Sequence, residues 1–300
     1  SASPVGMAGA GRGAEDLRSM TLSVSVQHTF GDFRLDAAFE APPGVTVLFG
    51  RSGSGKTSIA EALLNRAQVT SRLGRVDDGT STCDFEPEEQ KRRESLSLAV
   101  ATFEADGYRI TLVDTPGYLD FFGEVVTGLH AADAAVVVVS GVSGVEVGTE
   151  KAWEVCDRLH LPRLIFVGQM DKEHANFERV FADVKAHLSP KVLPVEVPIG
   201  EGSTFRGIVN LFSGKSHIYK PGTKSGEYDE VDVPAEHVAD VKKYTDLLIE
   251  TVAATDDALI ERYLNGEEIP RAEVTAALKK AVMSGAIVPL FVGSAQLTYG

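Results

Sequence analysis

The chain has 300 residues, 43% of them hydrophobic, with a formal net charge of −14 and a pI near 5.0. That length accommodates one large α/β domain with an inserted subdomain, and the acidic balance excludes a nucleic-acid-binding surface spread over the whole chain. Cys83 and Cys156, the only cysteines, form no CxxC, so no disulfide framework and no zinc site is expected, and the chain reads as cytoplasmic.

Residues 1–19 are rich in Ala, Gly and Ser and hold no apolar h-region, so they read as a disordered leader and not a signal peptide. Thr21 to Val26 and Phe33 to Phe39 alternate in the strand manner, which predicts a hairpin within 20–44. Val45 to Phe49 reads as a buried strand and Ser58 to Ala67 as an amphipathic helix. A polar stretch follows from Gln68 to Arg93, with a densely charged run from Glu86 to Glu94. Leu96 to Glu104 and Tyr108 to Val113 read as strands joined by Ala105-Asp106-Gly107. Ala134 to Val139 and Leu164 to Val167 are buried strands, with the helical stretch Val147 to Leu159 between them and Trp153 on its core side. The longest apolar run falls far short of the ~20 residues that span a bilayer.

From Leu193 to Tyr219 the pattern is one of short strands, and Lys220 to Asp232 reads as a polar loop. Glu236 to Tyr263 and Arg271 to Ser284 read as helices, and Pro289 to Val292 as the last strand. The β-α-β alternation predicts an α/β fold: a doubly wound, mostly parallel sheet with an inserted α+β subdomain at 189–284. The core is then 45–188, completed by 285–300.

Gly50-Arg51-Ser52-Gly53-Ser54-Gly55-Lys56-Thr57 fits G-x(4)-G-K-[ST] between a buried strand and a helix, which predicts a P-loop NTPase fold. Gly50, Gly53 and Gly55 permit close backbone approach, so that N–H groups of Ser52, Ser54 and their neighbours surround phosphate oxygens. Ser58 opens the following helix, whose N-terminus favours anions. Lys56 is placed to bridge β- and γ-phosphates and Thr57 to ligate Mg²⁺. Asp114-Thr115-Pro116-Gly117 ends another buried strand. Asp114 there suits Mg²⁺, and the Gly117 N–H suits a γ-phosphate. Asp171, just past the strand Leu164 to Val167, suits guanine N1–H and N2–H₂, where adenine offers no donors. Ser294-Ala295, after the last strand, suits guanine O6 through a backbone N–H.

In order, GRSGSGKT, DTPGYLDFFGEV, GQMDKEHANF and GSA resemble the GTPase domain of translation factors, closest to elongation factor G and its elongation-factor-G-like subgroup. The resemblance covers about 50–300. It implies a GTPase using GTP/GDP and Mg²⁺, with the ribosome as partner. Arg92-Arg93-Glu94-Ser95-Leu96 aligns with that family's RGITI, which puts Ser95 where a threonine completes the Mg²⁺ shell and Arg93 where a glycine of positive φ is usual. Two departures bear on activity. Tyr118 stands where the family's histidine positions the attacking water, and a phenol of pKa about 10 does not do imidazole chemistry near pH 7, so hydrolysis is expected to be weak. Gly168-Gln169-Met170-Asp171 replaces NKxD, so a tie to the P-loop and a stem over the base are expected to be lost, each worth ~1 kcal/mol, or roughly tenfold in affinity together, with Gln169 and Asp171 as the nucleotide-binding residues of that loop.

Residues 20–57 resemble instead the start of an ABC-transporter ATPase of the molybdate-importer type, carried by MTLSVSVQHTFGDFRLD and PGVTVLFGRSGSGKT. That resemblance implies adenine stacking on Phe30, yet the chain has no LSGGQ signature. Three readings follow: a slow GTPase, a nucleotide switch without turnover, and an ATP-binding protein of transporter type. Residues 1–300 alone are not expected to perform translocation.

Overall fold

The structure is a computed structural model and describes residues 22–26, 37–41, 44–105, 107–223 and 226–300. Phe30 and the leader 1–19 lie outside them. β1 (Leu22–Val26) and β2 (Ala37–Ala41) pair antiparallel as the predicted hairpin. The apolar strand β3 (Val45–Phe49) leads into α1 (Lys56–Arg66). The charged run from Glu86 to Glu94 contains a short helix. It forms α2 (Pro87–Arg92), which has proline at its start, acids in its first turn and Lys91 and Arg92 in its last, a distribution that complements the helix dipole.

β4 (Ala99–Ala105) and β5 (Tyr108–Asp114) are an antiparallel pair, followed by α3 (Phe122–Ala131), β6 (Ala134–Ser140), α4 (Val147–Leu159), β7 (Arg163–Gly168) and α5 (Phe177–His187). Next come β8 (Val192–Pro194), β9 (Glu196–Ile199), β10 (Gly207–Asn210), β11 (Lys215–Tyr219) and β12 (Tyr228–Asp232). The last of these lies in the stretch read as a polar loop. Its exposed carboxylates are held across the sheet, Lys215 to Asp232 and Lys220 to Asp229, each at 2.7 Å. Acidic alternation at a sheet edge gives no apolar period to read, and cross-strand ion pairs supply the pairing instead. α6 (Val238–Ala253) and α7 (Asp257–Leu264) divide what reads as one helix, because the Asp256 carboxylate accepts from the Ala258 and Leu259 N–H groups and starts a new one. α8 (Arg271–Met283) and β13 (Val288–Val292) complete the chain.

Seven strands form the principal sheet in the order β4-β5-β3-β6-β7-β13-β8, parallel except for β4. β8 lies inside the segment read as an insertion but hydrogen-bonds along β13. A second sheet, β12-β11-β10-β9, is antiparallel. The main core runs from Val47 and Val137 through Ile165 and Leu290 to Tyr244 on α6. Trp153 is buried in it under the Arg163 guanidinium, and both cysteines are buried free thiols. Every P-loop, DTPG and base-loop motif leaves the sheet at the carboxyl ends of β3, β5, β7 and β13, where open α/β sheets bind ligands.

Glu196 sits where the two sheets meet, fully buried beside Tyr219, with only the Val292 backbone to ease its charge. Burial pushes its carboxyl up from 4.5 to about 8. Between those values the folded state keeps a proton that the unfolded chain has released, so stability falls as pH rises through that window. Glu196→Gln is expected to flatten this slope and to raise the melting temperature by several degrees at about pH 9, with little change at about pH 5, by thermal melts across pH.

Candidate functional site

The P-loop leaves β3 at Gly50, where a side chain has no room: a Cβ would lie 2.4 Å from the Val138 carbonyl and 2.7 Å from Ser54 Oγ. Gly53 and Gly55 take φ of 80° and 93°, and Gly55 is the residue on which α1 starts. Ser52 and Ser58 are half-buried, whereas Ser54, Lys56 and Thr57 are buried. Ser54 Oγ is buried with no hydrogen-bond partner. Arg51, the loop's one long exposed side chain, grips Glu146 ahead of α4 through two nitrogens at 2.9 and 2.8 Å.

Beneath the loop lies a buried polar line. Thr57 Oγ1 donates to Asp114 Oδ2 at 2.7 Å and lies 3.3 Å from Ser95 Oγ, which donates to Asp84 Oδ1 at 2.7 Å. Asp84 is a member that sequence reasoning missed; nothing in its run DDGTSTCDFEP marks which acid turns inward. The other oxygens of the pair, Asp114 Oδ1 and Asp84 Oδ2, are buried and unpartnered. Burial pushes Asp114 up to about 6, with Lys56 and the Thr57 hydroxyl pulling against it. Asp84 is also raised by burial, against the Ser95 hydrogen bond. Two bare carboxylate oxygens and two hydroxyls, all hard oxygen donors, are a set that fits a small divalent cation sharing its shell with phosphate and water. Among the described residues no three or more His, Cys, Asp or Glu side chains are arranged to hold a metal ion by themselves.

The segment from Ser81 to Ser97, which includes α2 and Ser95, is fastened by two buried glutamates. Glu61 of α1 accepts from Ser81 Oγ at 3.0 Å and from the backbone N–H groups of Thr82 and Cys83. Glu89 of α2 accepts from Leu96 and Ser97 N–H at 2.8 and 3.0 Å and from Glu86 N–H at 3.0 Å. Arg93 ends α2 at φ 59°, so the positive φ expected of this position is met by an arginine.

Gly117 packs onto the P-loop so closely that a Cβ there would lie 2.0 Å from Ser52 N. Next to it, Tyr118 is 43% exposed and its hydroxyl donates to Glu94 Oε1 at 3.0 Å, joining this loop to the one that carries Ser95. At the other end of the site, Asp171 Oδ1 is buried and unpartnered, and Lys172 Nζ stands 3.9 Å from Oδ2. Met170 N–H donates to Gly293 O at 3.2 Å, which sets the Asp171 loop beside Ser294 and Ala295. Ser294 is turned inward: its N–H donates to Tyr299 O and its hydroxyl accepts from Leu297 N–H.

A profile of the family described as "Elongation factor Tu GTP binding domain" matches residues 45–300. The chain belongs to the elongation factor Tu GTP-binding domain family. It is also similar to a crystal structure from Thermus thermophilus, at 38% identity and a TM-score of 0.79 over 86% of this chain, of which it spans 38% of the length. For a member of this guanine-nucleotide-binding family, Gly168-Gln169 is the informative departure. The tie to the P-loop expected to be lost there is made from the next position: Gln169 Nε2 donates to Gly53 O at 2.6 Å.

Because the atoms that a Cβ on Gly117 would strike are backbone, the P-loop itself must move to admit one. Gly117→Ala is expected to weaken binding of a non-hydrolysable GTP analogue by roughly tenfold or more, with a smaller effect on GDP, in fluorescent-nucleotide titrations.

Proposed function

We propose that this chain is the GTP-binding domain of a translation factor of the elongation-factor-G type, that it binds GTP and GDP with Mg²⁺, and that it hydrolyses GTP slowly. The observation that carries the reading is the pair of bare, buried acceptors at opposite ends of one sheet edge. The Thr57–Asp114 pair lies under the P-loop, and Asp171 lies in the loop that Met170 N–H ties to Gly293 O, just ahead of Ser294 and Ala295. Family membership supplies the guanine nucleotide.

In this reading the N–H groups of Gly50, Ser52, Gly53, Ser54 and Gly55 surround the phosphates, with the start of α1 through Ser58 behind them. Lys56 neutralises the β- and γ-phosphates. Thr57, Ser95 and Asp114 hold Mg²⁺, and Asp84 orients Ser95. When bound, the ion neutralises phosphate charge. Gly117 offers its N–H to the γ-phosphate. Asp171 accepts from guanine N1–H and N2–H₂. Ser294 N–H is already engaged with Tyr299 O, so Ala295 is the donor to O6. The nucleotide-binding core is 45–188 with 285–300, the segment 189–284 is an insertion that returns β8 to the core sheet, and the ribosome is the partner.

Slow hydrolysis rests on Tyr118. Its hydroxyl donates to Glu94 Oε1 and so points its hydrogen bond at protein, where a general base would have to accept from water. The same contact favours a second reading, a switch that changes partner affinity without turnover. The likeness of residues 20–57 to a transporter ATPase concerns a segment mostly ahead of the family match, which begins at residue 45.

GDP is expected to outcompete ATP, and submicromolar preference for ATP in titration sinks the reading. Phosphate release is expected to be slow alone, to rise with ribosomes and to vanish in Lys56→Ala. Tyr118→His is expected to raise ribosome-stimulated turnover at least ~10-fold. No ribosome-stimulated release in either protein selects the switch.

A further inference from the structure

The turn that carries Ala295 closes on itself. Ser294 N–H donates to Tyr299 O at 2.7 Å, and Tyr299 N–H returns to Ser294 O at 3.0 Å. Inside it, Thr298 N–H donates to Ala295 O at 3.3 Å and Leu297 N–H to Ser294 Oγ at 3.2 Å. Residues 294–299 therefore move as one unit, and the Ala295 N–H points where that unit is aimed. β13 fixes the near end, where Gly293 N–H donates to Val167 O at 3.0 Å.

The far end is held by the second sheet, at three points. Tyr219, the last residue of β11, stacks its ring on Tyr299 with centroids 4.4 Å apart and planes 10° apart, and both tyrosines are buried. The Tyr219 hydroxyl accepts from Gly300 N–H at 2.9 Å. Gly226, ahead of β12, lies so close to Thr298 that a Cβ there would strike its carbonyl. Thr298 itself is left-handed at φ 60°, a conformation that an L residue keeps only when its surroundings hold it there. The same sheet reaches the other base loop: Gly202 N–H, between β9 and β10, donates to Met170 O at 2.8 Å, next to Asp171.

These contacts fall on the turn that holds the base donor. A phenol at 219 does two jobs there: its face covers Tyr299, and its oxygen fixes the backbone one residue further on. A hydrogen bond to a base weakens steeply once its donor is misaligned, so the aim of the turn matters more than its mere presence.

We propose that Tyr219 is a positioning residue for base recognition, and that the second sheet, by holding 294–300 through it, sets the Ala295 N–H against guanine O6. The sheet is then a working part of the nucleotide site and not an appendage to it. The inference rests on the guanine-nucleotide reading above.

Three diphosphates separate the two base contacts. 6-Thioguanosine diphosphate replaces O6 by sulfur, a larger and weaker acceptor, so its deficit against GDP reads the Ala295 contact. Inosine diphosphate keeps O6 and lacks the 2-amino group, so its deficit reads Asp171. The unaltered protein is expected to prefer GDP to both. Tyr219→Leu is expected to weaken GDP roughly tenfold and to bring the GDP to 6-thio-GDP ratio towards one, with the GDP to inosine diphosphate ratio kept. Tyr219→Phe keeps the stacked ring and deletes only the bond to Gly300, so it is expected to lose about threefold in the first ratio and to melt like the unaltered protein. Should Tyr219→Leu fail to fold, Tyr219→Phe decides. An unchanged GDP to 6-thio-GDP ratio in the folded variants overturns the inference, and so does a proportional loss for all three nucleotides, the mark of a merely structural residue. Equal binding of GDP and 6-thio-GDP by the unaltered protein overturns it too, and leaves the guanine reading standing through Asp171. Failure of the unaltered protein to bind GDP strikes the proposed function, and the inference falls with it.

Discussion

The hydrogen bond from Thr57 to Asp114 is the contact on which the rest of the site depends. It joins the first turn of α1 to the end of β5, and so sets two loops at a fixed distance over one buried spot. A carboxylate in that position is costly to bury alone, and burial already drives its proton affinity upward. The threonine hydroxyl, the Lys56 ammonium and the second acid at Asp84 together define what else can enter: something cationic against the carboxylates and something anionic against Lys56 and the loop N–H groups. The parallel order of β5, β3 and β6 exists in this sense to bring those ends level.

Most of this was legible in the sequence where one residue type does one job. A glycine that must be glycine, as at Gly50 and Gly117, a P-loop lysine, and apolar runs such as Val136 to Val139 can each be read without knowing their neighbours. Asp84 could not be read, because its role comes from Ser95 and Thr57, which are far from it in the chain. The edge strand β12 was hidden for a related reason: acidic residues paired across a sheet look like solvent-exposed loop until their lysine partners are known.

Gln169 shows the opposite failure. By motif letters alone, Gly168-Gln169 is a deletion of function at two positions; in the fold the lost carboxamide is present, one residue along the chain and turned back by a left-handed backbone. Motif letters record which side chain stands at a position, whereas the physical requirement is for a donor and an acceptor at two points in space. The glutamine's extra methylene and unusual φ meet that requirement by another route. Tyr118 offers no comparable surprise: its hydroxyl is tied to Glu94, and its loop contains no histidine.

Glu61 and Glu89 bear on kinetics as well as on shape. Between them these two buried carboxylates accept five backbone N–H groups from the segment around Ser95, at Thr82, Cys83, Glu86, Leu96 and Ser97. Peptide that is already fastened has little conformational freedom left to lose when a ligand arrives. The segment around Ser95 is in this sense a preformed loop, and a ligand that meets it would not have to fold it. The heat-capacity change on association should accordingly be modest, since little apolar surface remains to be covered in that step.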